Sequence, residues 1–80
     1  MSSNTYEKSQ AKILGQRIVF LRKEKGMTQK ELADLLDMDD GSLRKIESGR
    51  TNPTYFTLLR FSKALEVSLA ELFSFEEEVG

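Results

Sequence analysis

The chemistry open to this chain is bounded first by the residue types it lacks. Its eighty residues contain no cysteine and no histidine. Disulfides, the usual metal sites and the commonest general bases are therefore excluded. No metal, no cofactor and no catalytic centre is expected, which weighs against an enzyme. What remains is a short stretch of donors and acceptors: Asp40, Gly41, Ser42, Arg44, Lys45 and Ser48. Leu43 and Ile46 interrupt it at i, i+3. If those two turn inward, with about 100° per helical residue, Gly41, Lys45 and Ser48 point most directly outward. Ser42 and Arg44 flank them. Such a face can donate to phosphate oxygens and base edges. The plainer alternative is a set of solvated surface cations, and residue type alone does not choose.

The elements that would position this face are legible as helices. Apolar spacing becomes helical from Ile13, with Leu14, Ile18 and Leu21 at i, i+4, i+7. Gly26 stops this first helix after a basic last turn containing Lys23 and Lys25. Thr28 and Glu31 have the spacing of a capping box for a second helix, with Leu32, Ala33, Leu35 and Leu36 as a buried stripe. The run Asp37–Gly41 breaks that helix, and either Asp39 or Asp40 can cap the third. That third helix carries Leu43 and Ile46 and ends near Gly49. Pro53 disfavours helix at Asn52. Thr54 can cap a fourth helix through Leu65, with Tyr55, Leu58, Leu59 and Phe61 available to the core. Ser68 and Glu71 form a second capping box before Leu69, Leu72 and Phe73. No stretch alternates as a strand. The expected organisation is a flexible segment over 1–9, one domain over 10–75 and an acidic tail over 76–80. Ala33, then a turn at Asp37, then Leu43 and Ile46, is the spacing of a helix-turn-helix.

The formal charge of −1 is unevenly placed. All twelve Lys and Arg lie between Lys8 and Lys63. Five of the thirteen acids, Glu66, Glu71, Glu76, Glu77 and Glu78, follow Leu65. The remaining eight acids against twelve cations leave residues 1–65 at +4. A positive body is compatible with phosphate binding through one face. No apolar run approaches the roughly 18 residues that span a bilayer. Met1–Gln10 is polar and unlike a signal peptide. A cytoplasmic protein without membrane contact or an evident small-molecule ligand is expected.

Several separated motifs together resemble the Cro/repressor-type, xenobiotic-response-element-like helix-turn-helix family. They are Leu14–Ile18, Leu21–Gln29, Glu31-Leu32-Ala33, Ile46-Glu47-Ser48-Gly49-Arg50, Asn52-Pro53 and Leu65–Phe73. The resemblance covers roughly residues 13–73. It implies an all-α, five-helix, lambda-repressor-like fold whose second and third helices form the DNA-binding motif. It also implies a sequence-specific transcriptional regulator of bacterial or phage type, a repressor rather than an activator, bound to palindromic double-stranded DNA. The base-contacting positions fall on Asp40, Gly41, Ser42 and Lys45, with Arg44 reading a base or holding a phosphate. Phosphate contacts are expected from Gln16 near the start of helix one, Thr28, Gln29, Arg50, Thr51 and Asn52. Arg22 and Glu47 are implied to form a structural ion pair, with the guanidinium partly available to a phosphate. Arg17, Lys23 and Lys30 are expected to face solvent. The chain departs from the family at Asp37, where glycine is usual, and at Asp39-Asp40-Gly41. Two carboxylates there are unfavourable beside phosphates unless one accepts from a cytosine amino group.

Some apolar residues have no obvious intramolecular place. Phe56, Phe73, Phe75 and Val79 suggest a homodimer interface built on the C-terminal part, Leu65–Phe75. The alternative function, from a different class, is a protein-interaction module such as an antitoxin, which the aspartate pair and the terminal acids would suit.

Overall fold

The computed structural model describes residues 2–75. Five helices follow one another: α1 Ser2–Glu24, α2 Gln29–Leu36, α3 Asp40–Glu47, α4 Tyr55–Leu65 and α5 Leu69–Leu72. No strand occurs among the described residues. The expected acidic tail, and Val79 with it, lies outside them. α1 is the spine. It packs on α3 and α5, while α2 packs on α3 and α4.

Local chemistry sets the helix boundaries. Thr28 Oγ1 accepts from the Glu31 N–H and Glu31 Oε1 accepts from the Thr28 N–H, at 3.1 and 2.8 Å. Ser68 and Glu71 repeat this reciprocal cap at α5. Thr54 caps α4 through the Thr57 N–H. The helix ends share a second device. After each of α1, α2, α3 and α4 the chain takes one residue of left-handed conformation, at Gly26, Asp37, Gly49 and Glu66. The next N–H then reaches back over the last turn, as from Met38 to the Ala33 carbonyl at 3.0 Å. These paired bonds satisfy carbonyls that a helix end leaves free. Asp37 at φ 58° does the work usually given to glycine, since aspartate tolerates this region better than most side chains. Glu66 adopts the same φ and meets the Lys25 ammonium, one residue beyond the end of α1.

The core combines Leu14, Ile18 and Leu21 of α1 with Leu32, Ala33 and Leu36 of α2, Leu43 and Ile46 of α3, Phe61 and Leu65 of α4, and Leu72 of α5. Each large side chain so buried contributes about 1.5–3 kcal/mol of transfer free energy. Four expectations change. The first helix begins at Ser2, so the segment expected to be flexible over 1–9 is helical from Ser2 onward. Glu7, Lys8, Gln10 and Ala11 are good helix formers, but no continuous core lies behind them, so the apolar period does not announce them. Leu35 is 61% exposed, because the buried stripe of α2 runs through Leu32, Ala33 and Leu36 instead. Tyr55 is 62% exposed at the first turn of α4, before that helix reaches the core. Leu65 is 1% exposed and fills this molecule's own core, so it cannot belong to an interface with another.

Gly15 decides how closely α1 and α3 approach. A Cβ there would stand 2.4 Å from the Glu47 carbonyl oxygen and 2.6 Å from that of Ile46. Gly49 makes the reciprocal approach, where a Cβ would stand 2.6 Å from Lys12 Cα. The end of α3 is thereby clamped against Lys12–Gly15. Gly15→Ala sets two effects in opposition. Helix propensity alone would add up to about 1 kcal/mol of stability. The obstructing atoms are backbone, however, so a net loss of about 1–3 kcal/mol is expected from overpacking. Urea unfolding of the two proteins measures the sign, and an alanine variant as stable as wild type would refute the constraint.

Candidate nucleic-acid interface

α3 presents one polar face because its opposite side is consumed by the core. Leu43, Ile46 and Glu47 are buried, whereas Ser42, Arg44, Lys45 and Ser48 are exposed and Asp40 and Gly41 half-buried. Of the two aspartates left open above, Asp39 is the cap, accepting from the Ser42 N–H at 2.9 Å. The Ser42 side chain, then its backbone N–H, hold the Asp39 carboxyl below the ordinary aspartate value. Its charge also suits the positive end of the helix dipole. Asp40 begins the helix proper. Arg44 Nη2 lies 3.9 Å from where a Cβ on Gly41 would stand, which puts the guanidinium over the first turn. The Ser48 hydroxyl is engaged locally. It donates to the Lys45 carbonyl at 3.2 Å and accepts from Arg50 Nε at 2.9 Å.

Three side chains from three elements hold this helix in place. Arg22 Nε donates to Glu47 Oε2 at 2.8 Å, and Arg22 Nη2 donates to Glu47 Oε1 at 3.2 Å. Arg22 Nη1 donates to the Met27 carbonyl at 2.9 Å, tying the pair to the turn before α2. Gln29 Nε2 then donates to Glu47 Oε1 at 2.7 Å. Arg22 is 8% and Glu47 7% exposed. Each of the three guanidinium nitrogens thus makes one hydrogen bond within the protein, which leaves two of its five N–H donors. A planar guanidinium suits this two-pronged bond better than an ammonium would. Among the described residues, no buried side-chain nitrogen or oxygen lacks a partner.

The residues expected to frame the site fall into distinct places. Thr28 and Gln29 sit at the start of α2, with the Thr28 hydroxyl serving as its cap. Gln29 spends one amide N–H on Glu47, and its amide group carries a second. Arg50, Thr51 and Asn52 leave the end of α3 and line one side of a groove of about 550 Å³. Gln16 is exposed but well inside α1, not near its start, because that helix begins at Ser2. Arg17 is not a free solvent cation either. Its Nε and Nη2 donate to the Glu71 carbonyl at 3.1 and 2.8 Å, and its guanidinium lies 5.4 Å from the Phe20 ring centroid. Sequence reading missed this link and the Gln29–Glu47 bond. Neither has a local signature, since both join residues far apart in the chain. Gly15 did carry a signal, as an isolated glycine inside a helical pattern.

The aromatic residues without a core position divide into two places. Phe56 is 70% exposed beside Tyr55, with ring centroids 5.9 Å apart. Phe73 is 42% exposed, and its ring stands 6.2 Å from that of Phe75, which packs partly on the core. Phe73 and Phe75 line the groove with Tyr6 and Leu14, and Phe56 does not.

A capped helix, a left-handed turn and a second helix locked by a buried ion pair define a helix-turn-helix with its second helix presented to solvent. The chain belongs to the helix-turn-helix family, whose profile matches residues 18–72. It is 41% identical over 61 residues to an uncharacterized HTH-type transcriptional regulator of Sinorhizobium fredii, covering 76% of this chain and 79% of that protein. It resembles the restriction-modification controller protein C.AhdI from Aeromonas hydrophila at a TM-score of 0.78 and 32% identity, covering 81% of this chain and 98% of that one. The clp gene regulator ClgR from C. glutamicum aligns at a TM-score of 0.75 and 30% identity, over 79% and 82% of the two chains. The fold is therefore the DNA-binding fold of helix-turn-helix transcriptional regulators, not that of an enzyme. No helix among the described residues is long and apolar enough to cross a membrane.

Glu47 is the hub of the lock, so its loss should be costly. Glu47→Ala strands the Arg22 charge in a dry site and should cost about 3 kcal/mol or more. Denaturant unfolding monitored by circular dichroism reads this directly. A loss below about 1 kcal/mol, the range of an exposed pair, would contradict it.

Proposed function

We propose that this chain is a sequence-specific transcriptional regulator, acting as a repressor, that binds a palindromic operator as a homodimer with α3 in the major groove. The observation that carries the reading is the lock on α3. Arg22, Glu47 and Gln29 fix its buried side, leaving Ser42, Arg44 and Lys45 exposed. A helix of eight residues fits a groove about 12 Å wide. In this reading Lys45 donates to guanine O6 and N7, while Asp40, Gly41 and Ser42 meet neighbouring base edges. Arg44, lying over the first turn, reads a base or a phosphate. Gln29, through its second amide N–H, joins Thr28, Arg50, Thr51 and Asn52 on phosphates, and Gln16 adds a side-chain contact from α1. A cytoplasmic location suits such a target.

Base contacts and phosphate contacts respond differently to mutation. Lys45→Ala should relax preference at one position in each half-site and cost about 1–3 kcal/mol. Arg50→Ala should weaken all sequences alike and lower the salt slope by about one. Selection from random duplexes, followed by titration at several salt concentrations, separates the two. If Lys45→Ala changes neither affinity nor preference, α3 does not read the groove this way.

The dimer rests on a separate argument. One recognition helix reads too few base pairs for a useful specificity ratio. Two related by a two-fold axis read successive major grooves about 34 Å apart. With Leu65 buried, Phe56, Phe73 and Phe75 remain as the apolar contact. Sedimentation equilibrium without DNA should find a dimer for wild type and a weaker one for Phe73→Ala. A wild type monomeric at tens of micromolar defeats this part of the proposal.

A further inference from the structure

Helical spacing points Ser48 outward with Lys45, as a second reader of the groove, yet its hydroxyl is engaged within the protein. Ser48 follows the last residue of α3, and its hydroxyl donates to the Lys45 carbonyl at 3.2 Å. With its one proton given to that carbonyl, the oxygen can only accept from a further partner. It accepts from Arg50 Nε at 2.9 Å. The backbone repeats the connection. Gly49, left-handed at φ 77°, turns the chain back over the helix end. The Arg50 N–H then donates to the same Lys45 carbonyl at 2.8 Å. Main chain and side chain of Arg50 are thus both tied to the end of α3. The bond at Nε engages one of the five guanidinium N–H donors. Those on Nη1 and Nη2 donate to nothing else among the described residues. They include the parallel pair that grips a phosphate with two bonds.

We propose that Ser48 is a positioning residue for DNA binding, whose hydroxyl holds the Arg50 guanidinium by Nε and presents its Nη pair to a backbone phosphate. The inference rests on the reading of Arg50 as a phosphate contact, and it gives Ser48 a part in that contact without touching the duplex. An arginine on an exposed loop otherwise samples many rotamers, and ordering them opposes binding. Ordering them in the unbound protein reduces what association costs. The hold also sets register. Arg50 and Lys45 share one carbonyl as an anchor. A guanidinium seated on a phosphate therefore fixes where along the groove Lys45 lies, which is how phosphate contacts serve base readout.

The test is a cycle of Ser48→Ala, Arg50→Ala and the double variant, with Ser48→Thr beside it, titrated on the selected duplex at several salt concentrations. Ser48→Ala should bind about two- to fivefold more weakly, the range of an exposed charged contact. The loss should be alike for every sequence. The salt slope should keep its wild-type value, because no cation has been removed. Ser48→Thr retains the hydroxyl and should bind as wild type does. In the Arg50→Ala background, Ser48→Ala should change nothing further. A loss that persists there means that Ser48 meets the duplex itself, which overturns the proposal. So does a loss confined to one base position, a threonine variant no better than alanine, or full affinity in Ser48→Ala. A readout without DNA separates this from the operator reading. The Arg50 Nε–H resonance should exchange with water more slowly in wild type and Ser48→Thr than in Ser48→Ala. Equal exchange in all three sinks the hold on Arg50, whatever the duplex does. Slowed exchange in a chain that selects no duplex sinks the operator reading, and the phosphate role of the hold with it.

Discussion

A carboxylate and a guanidinium withdrawn from water must satisfy each other fully, and the Arg22–Glu47 pair places that demand where three helices meet. Desolvation of either charge alone costs several kcal/mol. The pair is acceptable only because Glu47 accepts from Arg22 twice and from Gln29 once, while Arg22 also donates to the Met27 carbonyl. Each partner sits on a different element, so the orientation of α3 is tied to α1, to the turn after it and to the start of α2. A hydrophobic contact would tolerate sliding or rotation of α3. A two-pronged ionic contact with a third donor does not. Whatever α3 presents to a duplex inherits that rigidity, which is what a base-reading side chain requires.

The rest of the fold brings the partners to hydrogen-bonding distance. Gly15 removes the one Cβ that would hold α1 away from the backbone of Ile46 and Glu47. Without that approach, the Arg22 side chain, two turns further along α1, would not meet Glu47 with both prongs. The left-handed residues Gly26, Asp37, Gly49 and Glu66 turn the chain sharply without leaving the carbonyls of the preceding helix unpaired. Short connections of this kind bring successive helices back onto a single core. Glu66 is the exception that shows tertiary control, since a glutamate has little local reason to enter that conformation. Its ion pair with Lys25, which also holds its carboxyl below the ordinary value, links the end of α4 to the end of α1.

Charge placement completes the arrangement. The net charge near zero conceals a cationic body and an acidic end, and α3 itself carries Asp40 in its first turn ahead of Arg44 and Lys45. Asp39 is accounted for by capping, which neutralises its effect at a helix end where negative charge is favourable. Asp40 then remains beside Arg44 and Lys45 as the carboxylate on the presented end of the helix. Repulsion of phosphates and selective acceptance from a base edge are both consequences of one such group, and neither is a defect of the fold.

Local chemistry was written into the chain itself. Capping boxes at Thr28 and Ser68, the left-handed stop at Asp37, and the apolar spacing of Leu14, Ile18, Leu43 and Ile46 each depend on residues within a turn or two of one another. The five helices and the outward face of α3 follow from such short-range rules, and the Arg22–Glu47 pair follows from the family resemblance. What the tertiary structure alone decided are the contacts between distant residues. Leu65 was free to be surface or core until α4 met the bundle. Arg17 looked like an ordinary cation until the Glu71 carbonyl came within reach. Leu35 and Tyr55 lost their expected burial because a helix face is buried only where another element arrives to cover it. The N-terminal turns of α1 show the converse, being helical by composition with no continuous apolar stripe to reveal them. Nor could any local pattern show that Phe75 lines the same groove as Arg50, because that juxtaposition exists only once α1, α3 and α5 have closed around the core.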